Sequence, residues 1–215
     1  MEMEMLILAT HLFGIFPLIV FVWSWKRRRD APSLYILQRF VFCVSYSIFY
    51  HTYHVKSIET IENHQDRWSF LDGFASTSLI FSTCCYGLRV REPQFYITLS
   101  LSDSIILFMY MFNMWYNITW VITLMCVTVA VLKWRTVYRY FLYFPCMAVF
   151  TIVCAAMAMW CYLEAAVKEF DNGYIPWHSA WHAFIFTTAG CLSCLRYRLD
   201  DRLYPIQARG TLDSI

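Results

Sequence analysis

A histidine pair four residues apart, His178 and His182, opens the last long apolar stretch of the chain, PWHSAWHAF. On a helix that spacing puts both imidazoles on one face, a common way for one element to offer two nitrogens to a metal. A second stretch ends in SYSIFYHTYH, with Ser47 and His51 four apart and His54 a further turn along. A third opens with SFLDGFASTS, which sets Asp72 in its first turn. Ionisable groups inside apolar segments are costly, so each is expected to face a bundle interior or a wet cavity, and each is a functional hypothesis by default.

With His51 from one helix and His178 and His182 from another, three imidazole nitrogens are available to one ion. Zinc is the expected occupant, because imidazole suits it and no thiolate lies at this level. Three protein ligands leave a fourth position open, the arrangement of catalytic rather than closed structural zinc, which lowers the pKa of a bound water from about 15.7 to roughly 7. Asp72 is then a candidate to hold that water or act as its base. Ser47, one turn below His51, is a candidate to donate to a developing oxyanion or to orient the histidine. The plainer alternative is that the histidines bond one another and backbone carbonyls with no metal. His11 reads as an interfacial residue and His64 as a loop residue. Asp103, in SLSDSIILF, reads as a buried hydrogen-bond partner for another helix or as a lining group of the same cavity. Glu164 reads as solvated, and Cys191 and Cys194 as small buried residues.

Those residues need helices to carry them, and the composition says what kind. Of 215 residues, 60% are hydrophobic, 20% aromatic and only 15% charged, with a mean hydropathy of +0.47. Such a chain is not an ordinary soluble domain. Apolar runs at about 5–25, 34–54, 69–88, 95–112, 118–133, 141–163 and 178–195 are each long enough to span a bilayer with some tilt. The expectation is an all-α seven-transmembrane bundle forming a single domain over 1–215, with a tail at 196–215. The N-terminal run lacks a basic n-region and a cleavage site and reads as the first span. Basic residues of the short connections (Lys26 to Arg29, Arg89, Arg91, Lys133, Arg135, Arg139, Arg196, Arg198, Arg202, Arg209) gather on one side, while Lys56, Arg67 and Lys168 fall on the other. By the positive-inside rule the first side is cytoplasmic, so the N-terminus is extracellular and the C-terminus cytoplasmic. The histidine, aspartate and serine clusters then reach one depth near the outer leaflet. Trp115, Tyr116, Trp120, Tyr174, Trp177 and Trp181 cluster at the same level, as interfacial belts do. All nine cysteines lie inside apolar runs and offer no disulfide framework. A net charge of +2 gives no reason to expect nucleic acid.

Ser47 and His51 on helix two, Asp72 on helix three, and His178 and His182 on helix seven resemble, in order, the shared marks of a superfamily of seven-helix membrane proteins: the alkaline ceramidases, the adiponectin receptors and a GPI-processing phospholipase. That resemblance implies zinc held by His51, His178 and His182. Within the superfamily the chain is most similar to the myomaker family of muscle fusion proteins, through SIFYH before an outer loop, REPQ after helix three, VAVLKW closing helix five and HSAWH opening helix seven. It departs from vertebrate members at His54, where they carry an aspartate, and in a tail without cysteine. The first departure makes His54 a possible additional ligand.

The resemblance implies a multi-pass plasma-membrane protein that promotes myoblast, or more generally cell–cell, membrane fusion. Its expected partners are membrane lipids, a fusion protein on the same or the opposing cell, or a second copy of itself. Two alternatives stand beside it. One is a zinc-dependent lipid amide or ester hydrolase, which the site would suit chemically. The other is a lipid-binding receptor whose zinc is structural.

Overall fold

The computed structural model describes residues 9–56, 62–112, 114–167 and 174–204. These residues are helical, with no strand among them. A short 3₁₀ turn, His11–Gly14, leads into α1 (Ile15–Arg28), α2 (Ala31–Lys56), α3 (Glu62–Gly87), α4 (Gln94–Met111), α5 (Trp115–Leu132), α6 (Trp134–Tyr143), α7 (Pro145–Val167) and α8 (Tyr174–Leu203). Three of them contain segments long and apolar enough to cross a membrane: Ala31–Thr52, Gln94–Met111 and Pro145–Ala165. A fourth qualifies if α5 and α6, bent by 77° at Lys133, count as one span. With a rim of exposed Phe, Leu, Ile, Val and Trp side chains around the bundle, this marks a membrane protein.

The helix boundaries have local causes. Lys26, Arg27 and Arg28 sit in the last turn of α1, where cations meet the negative end of the helix dipole. Arg29 then takes a left-handed conformation, φ 51°, its N–H bonded to the Trp25 carbonyl at 2.7 Å. Asp30 starts α2 as an N-cap, accepting the Ser33 N–H at 2.9 Å. Pro145 opens α7, where its missing N–H costs nothing.

Two elements differ from the sequence reading. Residues 134–143 form a separate short helix rather than a bare connection. The last helix also runs on to Leu203, so Arg196 to Leu203 is helical, with Arg196 and Asp200 buried, rather than the start of a free tail.

Helix α8 is the hub, packing against α7, α1 and α3. Its contact with α7 runs along a row of small side chains, Ala148, Thr151, Cys154, Ala158, Cys161 and Ala165, all buried, while Val149, Phe150, Ile152, Val153 and Trp160 face outward. Small residues let helix backbones approach closely where lipid supplies no hydrophobic drive. Between α1, α2 and α8 the filling is aromatic: Phe40 lies 5.4 Å from Phe21 and 5.8 Å from Phe186, ring centre to ring centre.

Polar contacts close one end of the bundle. Asp200 of α8 accepts from Arg28 of α1 and forms ion pairs with Arg89, just beyond α3, at 2.8 Å and with Arg196 at 3.6 Å. Arg28 also binds Asp30 at 2.8 Å. Arg196 donates to the Tyr86 carbonyl at 2.7 Å and lies 3.8 Å over the Tyr86 ring. Farther along, Asp103 of α4 is held by Arg39 of α2, at 3.0 Å for one N–H, and by the Ser78 hydroxyl of α3. Asp103 is therefore the interhelical partner that its position suggested, and its counterion is an arginine inside the second apolar run.

Candidate metal centre

The other end of the bundle holds the histidines. Helix α2 ends there and α8 begins there, so His51 arrives from one direction and His178 and His182 from the other. The four-residue spacing on α8 turns both of its rings to one side. All three are buried, at 4%, 9% and 2% exposure. The Nε2 atoms of His178 and His51 are 3.4 Å apart. Ring centres are 5.1 Å apart for His51 and His178, 5.5 Å for His51 and His182, and 4.7 Å for His178 and His182. One ligand nitrogen from each lies within 4.8 Å of the others.

These residues fit a metal. With a zinc–nitrogen bond of about 2.05 Å, two ligands of a tetrahedral ion sit about 3.35 Å apart. The His51–His178 separation already equals that edge, and a His182 nitrogen lies within 4.8 Å of both. Three neutral imidazoles in a site with no thiolate suit zinc, copper, iron or nickel.

The support around the rings is partly as expected and partly new. Ser47 of α2 and Asp72 of α3 are both buried and lie close to one another. The metal-ligand group comprises the three histidines; Asp72 lies on α3 near Ser47, which is one turn from His51 on α2. At Gly73, next to Asp72, the Tyr110 hydroxyl of α4 occupies the place of a Cβ, so an added methyl would make the tyrosine shift. The side chains of His54 and His64 lie outside the described residues.

Two residues escaped the sequence reading. His11, read as interfacial, is buried in the cluster, its ring centre 4.6 Å from His182 and 5.9 Å from His51. Its neighbour Thr10 shares a hydrogen bond with His182 Nδ1 at 3.3 Å. A partner on one ring nitrogen fixes the tautomer and leaves the other nitrogen for a metal. The signal for His11 was present: it too is an ionisable group inside an apolar run. Around the site stand Trp181, 4.9 Å from His182, Tyr50, 4.9 Å from His51, and Phe186, 5.8 Å from His182. Trp181 therefore packs on the histidines in addition to any anchoring role. Trp120, by contrast, is exposed, as a belt residue would be.

No family model, curated protein or solved structure matches the chain.

Proposed function

We propose that this is a plasma-membrane protein of seven spans that carries zinc near its outer leaflet and promotes fusion between muscle precursor cells. The observation that carries the site is the buried trio of His51, His178 and His182, with two of its nitrogens at the separation of a tetrahedral edge. The fusion role rests on the likeness of the histidine, aspartate and serine pattern to the myomaker family.

Seven crossings are supported by the element list once α6 is set aside as too short to span. The crossings are then α1, α2, α3, α4, α5, α7 and α8. Helix α1, 14 residues long, reaches a spanning length only together with residues 9–14 that lead into it, and helices α3 and α8 carry polar residues, such as Asp72, His178 and His182, that are buried in the bundle. From His182 to Asp200, about 18 residues at about 1.5 Å each separate the histidines from the ionic cluster by roughly 27 Å. That is close to the thickness of a hydrocarbon core. The arginine-rich end is then cytoplasmic and the N-terminus extracellular.

Zinc, when bound, would supply Lewis acidity and an activated water at the outer leaflet. His51, His178 and His182 would hold it, Thr10 would orient His182, and Asp72, close to Ser47, would stand ready to accept or return a proton. This last pair favours a second reading, a lipid amide or ester hydrolase, because a buried serine–aspartate pair beside an incomplete ligand set is what such chemistry needs.

Three experiments test the readings. Metal content measured by mass spectrometry should give about one zinc per chain for wild type and none for His51→Ala or His178→Ala; a folded wild type without metal removes the site. Cells expressing the chain should fuse with competent myoblasts, and failure despite surface delivery removes the fusion reading. Turnover of a ceramide or phospholipid by purified protein, lost in His178→Ala, would favour the hydrolase instead.

A further inference from the structure

Helix α6 has no role in the metal site, yet its surface is sharply divided. It leaves α5 at 77° and is tied to the arginine-rich end of the bundle, where the Tyr140 hydroxyl donates to the Gly87 carbonyl and Arg202 of α8 lies 4.3 Å over the Tyr143 ring. At about 100° per residue, Thr136, Val137, Tyr140 and Tyr143 share the side turned to the bundle, and all four are buried or half-buried. On the opposite side Phe141, Trp134, Tyr138 and Leu142 form an exposed apolar arc, Trp134 and Tyr138 each 60% exposed. Arg135 and Arg139 follow directly on the wheel, both exposed, and Lys133 precedes the helix. The aromatic arc continues the outward apolar surface of α5, which ends in exposed Val131 and Leu132.

We infer that α6 lies in the plane of the inner leaflet and binds anionic phospholipid headgroups. Its aromatic arc enters the boundary between headgroups and acyl chains, while Arg135 and Arg139 meet phosphate and carboxylate groups. The continuity with the lipid-facing side of α5 selects a bilayer rather than an acidic protein as the occupant. Charge complementarity selects the anionic lipids: the same end of the molecule also exposes Arg27, Arg91, Arg198 and Arg202. The inference rests on the proposed orientation, in which this end is cytoplasmic.

The test uses the full chain, reconstituted in phosphatidylcholine vesicles with trace spin-labelled phosphatidylserine or phosphatidylcholine. Electron paramagnetic resonance then reads the motionally restricted fraction of each label. Wild type should hold phosphatidylserine in preference to phosphatidylcholine, the more so at low salt. Each basic residue at such a surface contributes about a factor of five, so Arg135→Gln/Arg139→Gln should lower the preference by up to about 25-fold, while Arg135→Lys/Arg139→Lys should retain most of it. Unchanged thermal midpoint and metal content would show that the Gln variant is folded. An equal preference in the folded Gln variant, or no preference in wild type that resists carbonate extraction, overturns the inference and leaves the membrane reading intact. Wild type extracted by carbonate overturns both.

Discussion

Removing the Thr10 hydroxyl should loosen the metal without removing any ligand. Thr10→Val keeps the shape of the side chain and deletes the hydrogen bond to His182 Nδ1. Partners of metal-bound histidines are typically worth 10–100-fold in affinity. At 3.3 Å this bond is longer than the usual range, which places the expected loss near the lower bound, about tenfold or roughly 1.4 kcal/mol. The assay is competition between purified protein and a graded series of chelators, with retained zinc read by mass spectrometry. His182→Ala sets the scale, since loss of a ligand should abolish stoichiometric binding, and Thr10→Ser should stay near wild type because it keeps the hydroxyl. Wild-type affinity in Thr10→Val would refute the reasoning. So would an equal loss in Thr10→Ser, which would point to packing rather than to the hydrogen bond.

Asp200→Asn should destabilise the bundle by about 3–5 kcal/mol, because it leaves Arg28, Arg89 and Arg196 crowded around a neutral side chain. For a chain of this length that corresponds to a thermal midpoint lower by roughly 6–20 °C in detergent, and a change under 2 °C would contradict it. Gly73→Ala sets about 1 kcal/mol of helix propensity gained against displacement of the Tyr110 hydroxyl by the new methyl, so the midpoint in the same melting assay should move by no more than about 4 °C, and Gly73→Ala with Tyr110→Phe should melt above Gly73→Ala alone. Burial pushes the Asp30 carboxyl up, but hydrogen bonds from the Ser33 side chain and backbone, with Arg28 and Arg196 nearby, more than offset it and leave the group below its ordinary value. Its folded pKa is thus depressed, so its contribution to stability is present above the ordinary carboxylate range and lost as pH falls through the folded value. Asp30→Asn should therefore flatten the acid limb of the stability profile below about pH 4, and an unchanged limb would show that Asp30 plays no part in it.

The site was legible in the sequence to the extent that single-helix spacing decides it. His178 and His182 had to share a face, and the opposed directions of α2 and α8 had to bring His51 to them. Thr10 and His11 were harder to see because a threonine or a single histidine near a terminus carries no periodicity; only the packing of the 3₁₀ turn against α8 brings them to the cluster. Arg39 escaped for a different reason. It lies in an otherwise apolar run and is tolerated because Asp103, Ser78 and Tyr35 surround it, a circumstance that belongs to three other positions in the chain. Helix α6 was hidden by hydropathy, since alternating Arg and aromatic residues read as a polar connection until the amphipathic face is resolved on a helix.

The placement of polar groups follows from the solvent. In a bilayer, apolar surface gains nothing by leaving lipid, so helices are held by close packing and by polar contacts that have nowhere else to go. Here the packing lies in the middle, in the Phe21–Phe40–Phe186 group and in the row of small residues between α7 and α8. Apart from the Arg39–Asp103–Ser78 group between α2, α3 and α4, the polar contacts described lie toward the two ends, and α8 carries both: histidines in its first turns, Arg196 and Asp200 in its last. A single unbroken helix of 30 residues therefore links the histidine site to the ionic cluster. A metal that fixed one end of α8 against α2 would bear on the same helix whose other end is tied to Arg28 of α1 and to Arg89 beyond α3. That coupling would serve a hydrolase by holding its ligands still, and it would equally serve a fusion protein by keeping the bundle closed until lipid or a partner bears on it. Zinc binding alone therefore leaves the choice between the two functions to the fusion and turnover assays.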